Sequence, residues 1–296
     1  MRERISISAH RRNEVSLISR VIVGLAFLAV LSATSAQAAP HDFVVYAPGM
    51  GGTAEQAKPF LERFFRYVEK PMGWTSGGAQ GEYFDQPADA EKYIREKQPG
   101  FGLVSPGLFV QLSCGKDAPE PLVATVGIGG LPNPHRFHVI VKKGSAAKKL
   151  ADLKGKKLSS NHLHDLKFVS RVILGGDVDA EKFFQLVPTN SPIKPFKAVD
   201  RGEADAALVD EAQLANIKKT AIGDSFEVVY TSQPLPTFPV VAFKQVLPAE
   251  REKMKKTLLG MCLAPPGSEV CKALGFERFE PIDAGGFKPA VQKYCK

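Results

Sequence analysis

The chain has 296 residues, of which 44% are hydrophobic and 24% charged. That composition is globular and excludes disordered, collagen-like and disulfide-scaffold classes, while the length suits one large or two ordinary domains. A formal net charge of +8 invites nucleic acid or a membrane surface as partner, so where the charge sits matters.

Much of it sits at the start. Arg2, Arg4, Arg11, Arg12 and Arg20 precede an uncharged run over 21–31, and small residues then end in Ala36-Gln37-Ala38. A basic segment, a short apolar stretch and an A-x-A site predict a secretory signal peptide over residues 1–38. The apolar stretch is too short for a membrane anchor. Arg11-Arg12 lacks the flanking residues of a twin-arginine signal. Cleavage after Ala38 removes five arginines and two glutamates, leaving 258 residues and a charge of +5. The expected product is a soluble periplasmic monomer with no nucleic-acid partner. Export also permits disulfides. Cys262 and Cys271 are the first choice for a bridge, leaving Cys114 with Cys295, although four cysteines allow three connectivities. No Cys-x-x-Cys pair is present, which argues against a metal site and excludes covalent haem, and no cofactor is expected.

Along the mature chain, residues 43–47 predict a buried strand closed by the glycine-rich 49–52. Thr53 and Gln56 form a capping box for a helix with apolar residues at 57, 60, 61, 64, 65 and 68, its first turn disturbed by Pro59. A strand within 74–84, a helix over 85–97 and a strand over 101–104 follow. Ser105-Pro106 then reads as the cap and first residue of another helix. Strands over 122–128 and 137–141 flank a turn-rich passage. Further on we expect a brief strand after Lys157, a helix over 165–174, a strand over 183–187 and a helix ending at Arg201-Gly202. A strand over 204–209 ends in Asp210, followed by a helix over 211–219 and a strand over 226–231. An apolar strand at 237–243, a helix over 248–261 and a closing segment at 287–294 complete the chain.

Strands alternating with helices imply α/β architecture with largely parallel sheets. Two proline-rich passages bracket a middle block. We therefore expect one lobe from 39–134 and 233–296, with a second, inserted lobe at 135–232. Ligands of such sheets bind beyond the carboxyl ends of the strands.

Candidate ligand groups lie in those loops. Gly51, Gly52 and Thr53 could offer free backbone N–H groups to an anion, or simply form a turn. Ser105 is either a plain cap or a ligand group. Ser159-Ser160-Asn161-His162-Leu163-His164 is a polar turn able to hydrogen-bond an oxyanion, or only a solvated cap. His135 and His138 flank Phe137 and are equally ambiguous. Asp210, at the end of its strand, suits a ligand amine or hydroxyl better than Asp205 does. No Gly-x-Ser-x-Gly elbow, His-Glu-x-x-His or carboxylate pair marks an enzyme. The lysine-rich stretch 142–157 reads as a solvated face.

Four segments carry a resemblance. Leu150-Ala-Asp-Leu-Lys-Gly-Lys-Lys157 resembles the start of the second lobe in type II periplasmic binding proteins. AVDRGEADAALVDEAQL (198–214), SQPLPTFPVVAFKQVLPAE (232–250) and ALGFERFEPI (273–282) resemble the phosphonate/phosphite/phosphate-binding branch of ABC transporters. The resemblance implies a two-lobed type II fold with two crossover strands. It further implies a small anionic ligand, a phosphate-, phosphite- or phosphonate-like oxyanion, and a membrane permease as partner. On it, Tyr46, Gly51, Gly52, Thr53 and Ser105 would contact ligand from one lobe, and Ser160, Asn161, His162, Asn190 and Asp210 from the other. The chain departs from that branch where Ser159-Ser160-Asn161-His162 replaces a Ser-Thr-Ser-Gly-like turn. It departs again where Thr189-Asn190-Ser191 replaces Gly-Ser-His and where Phe109 replaces a tyrosine. A non-transport periplasmic sensor or accessory binding protein on the same fold is the alternative.

Overall fold

Apolar residues at alternate and consecutive positions set two buried sheets, described here from a computed structural model covering residues 41–48, 53–127 and 130–296. The predicted signal peptide, Gly51 and Gly52 lie outside those residues. The first sheet takes β1 (Asp42–Tyr46), β2 (Gln80–Phe84), β3 (Phe101–Val104), β4 (Glu120–Val126), β10 (Pro239–Ala242) and β11 (Arg278–Pro281). Its order is β11-β4-β10-β3-β1-β2. The second takes β5 (Phe137–Lys142), β6 (Lys157–Ser160), β7 (Gln185–Pro188), β8 (Ala206–Asp210) and β9 (Phe226–Thr231), in the order β7-β6-β8-β5-β9.

Both sheets are mixed, where largely parallel ones were expected. β2, β1 and β3 run parallel, as do β7, β6 and β8. β10 is antiparallel to both its neighbours, and so is β5. The reason is connectivity: β5 and β10 are where the chain enters and returns from the second sheet, so each runs against the strands beside it.

The two connecting passages are hydrogen-bonded to each other. His135 and Leu235 exchange backbone N–H···O bonds of 2.9 Å. The Ser232 hydroxyl accepts from the Phe137 N–H at 2.9 Å, and Arg136 Nη1 donates to the Ser232 carbonyl at 2.8 Å. Nearer the first sheet, the Asn133 side chain accepts from the Thr237 N–H at 3.1 Å, and the Thr237 hydroxyl donates to the Thr125 carbonyl.

Helix α1 (Ala54–Met72) begins with the expected capping box. Thr53 N–H donates to Gln56 Oε1 at 2.9 Å, and Gln56 N–H to Thr53 Oγ1 at 3.3 Å. Pro59 does not break it; so near the helix start its missing N–H forfeits one bond only. Gly73, at φ 74°, closes α1. The next strand therefore starts at Gln80 rather than Trp74, whose ring stacks on His41 at 4.0 Å.

Helices α2 (Pro87–Lys97), α3 (Pro106–Leu112) and α8 (Pro248–Met261) match their expected segments. The helix expected over 165–174 is instead one turn, α4 (Leu166–Phe168), continuing as a π-helical turn over Val169–Ile173. There Leu174 N–H reaches the Val169 carbonyl at 2.8 Å, and Gly175 and Gly176 end it at positive φ. Phe183 belongs to a short helix, α5 (Ala180–Phe183), capped by Asp179, which delays the strand to Gln185. Helices α6 (Lys194–Asp200) and α7 (Glu211–Ile217) flank β8, and all seven lysines of 142–157 are exposed.

Helix α9 (Gly267–Ala273) and β11 were not expected from the sequence. Helix α10 (Lys288–Cys295) closes the chain, with Phe287, Ala290 and Tyr294 buried against residues of both sheets' sides. The disulfides Cys114–Cys295 and Cys262–Cys271 are both formed. Among the described residues no helix is long and apolar enough to cross a membrane.

Candidate functional site

Strand ends from the two sheets converge. Tyr46 pairs in register with Val104, so Tyr46 and Ser105 leave neighbouring parallel strands at one edge of the first sheet. In the second sheet, β6 and β8 are parallel neighbours ending at Ser160 and Asp210, and Phe137 lies opposite Asp210. His135 precedes it on the first connecting passage. Between these ends lies a cavity of about 50 Å³. Pro48, Ser105, Gly107 and Phe238 line it from the first side, and His135, Phe137, His162, His164, Phe168 and Asp210 from the other. Such a volume holds a few waters or a ligand of a few heavy atoms. Among the described residues neither lysine nor arginine lines it.

Gln213 ties the second side together. Its N–H donates to Asp210 Oδ1 at 2.8 Å, and its Oε1 accepts from the Asp210 N–H at 3.0 Å, a reciprocal capping box at the start of α7. The same Oε1 lies 3.3 Å from His162 Nε2, and Nε2 of Gln213 donates to Asn161 Oδ1 at 3.0 Å. His162 Nε2 also lies 3.4 Å from Asp210 Oδ2. With two acceptors facing it, Nε2 carries the proton. Below this network, the Ser160 hydroxyl donates to the Leu208 carbonyl at 2.6 Å and accepts from the His162 N–H at 2.9 Å. Loop and strand are thereby locked.

Electrostatics follow burial. Burial pulls His135 and His164 down to about 4, so both rings are neutral at pH 7. Burial pushes the Tyr46 phenol well above its ordinary range, reinforced by the charges of Asp165, Glu91 and Asp85. Burial also works to raise Asp210, but the hydrogen bond and charge of His162 and the Gln213 N–H outweigh it, and its carboxyl ends below the usual range. Three polar atoms of this group are buried without a partner: Tyr46 OH, His135 Nδ1 and His164 Nδ1. A buried polar atom left unsatisfied costs about 1–3 kcal/mol.

The site therefore has Ser105, His162 and Asp210 in the cavity wall, and gathers Tyr46, Ser160 and Asn161 beside it through His164, His162 and Gln213. Ser105 Oγ accepts from the Leu108 N–H at 3.2 Å, a bond that leaves its own proton uncommitted. Two expected residues are placed elsewhere. Asn190 is exposed, after the edge strand β7. Thr53 caps α1 and borders a different, apolar hollow of about 300 Å³ walled by Phe60, Phe64 and Phe276. That hollow is larger, but among the described residues its polar side chains are just Thr53, Gln56 and Tyr83, so it offers little to fix a polar ligand. Phe109, at the position where a tyrosine was noted as usual, turns toward Phe287 at 4.5 Å. His138 sits half-buried against Thr231, its Nδ1 3.1 Å from Oγ1. Gln213 was missed, although Asp210-x-x-Gln213 is a legible capping pattern. His135 was legible only as one of two ambiguous histidines. Among the described residues no His/Cys/Asp/Glu group is arranged to hold a metal ion.

A search of curated proteins returns no match. Among solved structures, XAC2383 from Xanthomonas citri, bound to ATP, is similar at 16% identity and a TM-score of 0.65, over 86% of this chain and 96% of that one. PhnD1 from Prochlorococcus marinus, in complex with methylphosphonate, gives 14% and 0.61, over 86% and 97%. A binding-protein component of an ABC phosphonate transporter from Pseudomonas aeruginosa gives 16% and 0.60, over 85% and 84%. At these identities the likeness establishes a shared two-lobed type II fold. The family model of ABC-transporter phosphonate periplasmic substrate-binding proteins matches residues 53–286. That span contains every strand except β1 and all but Tyr46 of the gathered residues. The chain belongs to the periplasmic substrate-binding proteins of phosphonate ABC transporters, a family of solute carriers rather than enzymes.

Proposed function

We propose that the cavity between the sheets binds a small phosphorus oxyanion (phosphate, phosphite or a short phosphonate) for delivery to a membrane permease. The observation that carries this reading is that His135 and His164, each with a buried, unpartnered Nδ1, line about 50 Å³ of space together with Ser105, His162 and Asp210. Ser105 Oγ–H, Asn161 and His162 supply further hydrogen-bonding groups. The volume favours the smallest members of the class over a nucleotide-sized ligand.

The chain acts as a monomer with two lobes, 39–134 with 233–296 and 135–232, hinged at the paired passages through His135 and Leu235. Ligand closes the lobes, and the permease reads the closed form. Calorimetric titration with phosphate, phosphite, methylphosphonate and aminoethylphosphonate tests this. Saturable heat is expected with at least one, and no heat with any of the four would refute the oxyanion reading.

A further inference from the structure

His135 and His164 stand out because both line the cavity and Nδ1 of each is buried without a partner. Burial keeps both rings neutral, outweighing the nearby Leu235 backbone at His135 and Asn161 backbone at His164. A neutral imidazole has one N–H and one lone pair, so it can share a single proton with a ligand oxygen but brings no charge. The cavity thus shows an oxyanion two uncharged rings, which cannot neutralise a fully ionised ligand.

The surrounding charges sharpen the conflict. His135 faces Asp210 and His162. His164 faces His162 and the Tyr46 ring, 6.3 Å away edge-on. Tyr46 in turn feels Asp165, Glu91, Asp85 and Tyr83, and among the described residues no lysine or arginine lines the cavity. A doubly charged anion brought here would lose its hydration without meeting a permanent positive charge. A proton placed between a ligand oxygen and an imidazole nitrogen removes both problems. It satisfies the lone pair, and it lowers the charge that has to be buried.

We propose that His135 and His164 are specificity-determining ligand contacts, and that the anion is held together with at least one proton shared between its oxygens and these ring nitrogens. This deepens the oxyanion reading and rests on it. Above the second ionisation of the free ligand, that proton comes from solvent, so binding and proton uptake are one event. An anion of the same shape with no ionisable hydroxyl, such as methanesulfonate, has no proton to share.

The test is calorimetry of methylphosphonate at about pH 9.5, well above its second ionisation, in two buffers of different ionisation enthalpy. The expected result is uptake of about one proton per ligand, with Kd weakening roughly tenfold per pH unit in that range. Methanesulfonate is expected to bind at least about tenfold more weakly at pH 7, a difference of one proton-mediated contact. H164Q, at a half-buried position, and H135Q are both expected to lower the uptake and weaken binding, with melting curves confirming the fold. Binding with equal heats in both buffers and a flat pH profile would overturn the inference alone. Unchanged uptake in a folded H164Q would likewise remove the histidines from the proposal. No binding of any phosphorus oxyanion at any pH would overturn the oxyanion reading, and this inference with it.

Discussion

The bridge between Cys114 and Cys295 closes a sequence separation of 181 residues, whereas that between Cys262 and Cys271 closes 9. In the chain-entropy model, the first removes about 5 kcal/mol of loop freedom from the unfolded state at 25 °C and the second roughly 2.5. Replacing Cys114 and Cys295 together by serine should therefore cost about twice as much as the same change at Cys262 and Cys271. Helix α10 would still hold its packing: Tyr294 is buried, and Arg171 Nη1 donates to its carbonyl at 3.0 Å. Lys167 also lies 4.3 Å above its ring. Because these contacts persist, the loss is expected to come from the unfolded state. Urea unfolding of the two double variants measures it directly. The large-loop variant should show the lower midpoint together with a larger m-value, since its unfolded chain exposes more surface. Equal losses in the two variants would refute the entropic reasoning and point to native contacts of α10 as what the bridge protects.

Gln213→Ala removes three side-chain hydrogen bonds, to Asn161, Asp210 and His162. At about 1 kcal/mol per neutral bond, it should lower stability by about 2–3 kcal/mol in urea unfolding and weaken ligand binding at least tenfold. A loss under about 0.5 kcal/mol with unchanged affinity would show that the network positions nothing. Acid should also destabilise the fold. His135 and His164 are held at about 4 by burial, so the unfolded chain takes up protons below about pH 6.5 that the native state refuses. Stability therefore falls as pH drops from about 6.5 to 4, by about 3 kcal/mol per histidine at the lower end, and a flat or rising urea midpoint over that range would contradict the burial.

Most of the scaffold was readable because its signals are local. Thr53 and Gln56, Ser105 with Pro106, and the run at 248–261 announce helix starts through side chain-to-backbone chemistry that needs no tertiary partner. Sheet direction was not readable in that way. β5 and β10 look like any other apolar strand, and only the return of the chain between sheets makes them antiparallel. Helix 165–174 was misjudged because its apolar periodicity tolerates a π turn, which Leu174 bonding to Val169 reveals only in three dimensions. The site divides similarly. Ser160, Asn161, His162 and Asp210 were legible as polar residues at strand ends, the place where ligands of such sheets bind. Asn190 met the same criterion, but β7 is an edge strand and Asn190 is exposed and outside the cavity's lining. His135 could not be ranked above His138 from sequence. One precedes β5 on the buried passage and the other points to Thr231, a distinction of strand parity and burial rather than residue type.

Asp210 shows why family position and chemical role can part. It occupies the acidic position that the resemblance offers to a ligand, yet both of its oxygens have partners within the fold: Oδ1 with the Gln213 N–H and Oδ2 with His162 Nε2. A ligand amine would have to displace His162 to reach it, breaking a contact between side chains that are each little exposed. The carboxylate instead fixes the direction of an imidazole, as a second partner does for a ligand-facing histidine. His162 Nε2 is thereby turned inward to the acceptors, leaving its ring edge-on to Phe137 at 5.1 Å. The cavity-lining groups left to meet a ligand include the Ser105 hydroxyl, His135 and His164, none of which carries charge at pH 7. Discrimination in such a cleft rests on the count and placement of protons. Two anions of equal charge and shape, one with a hydroxyl and one without, are the pair it is built to separate.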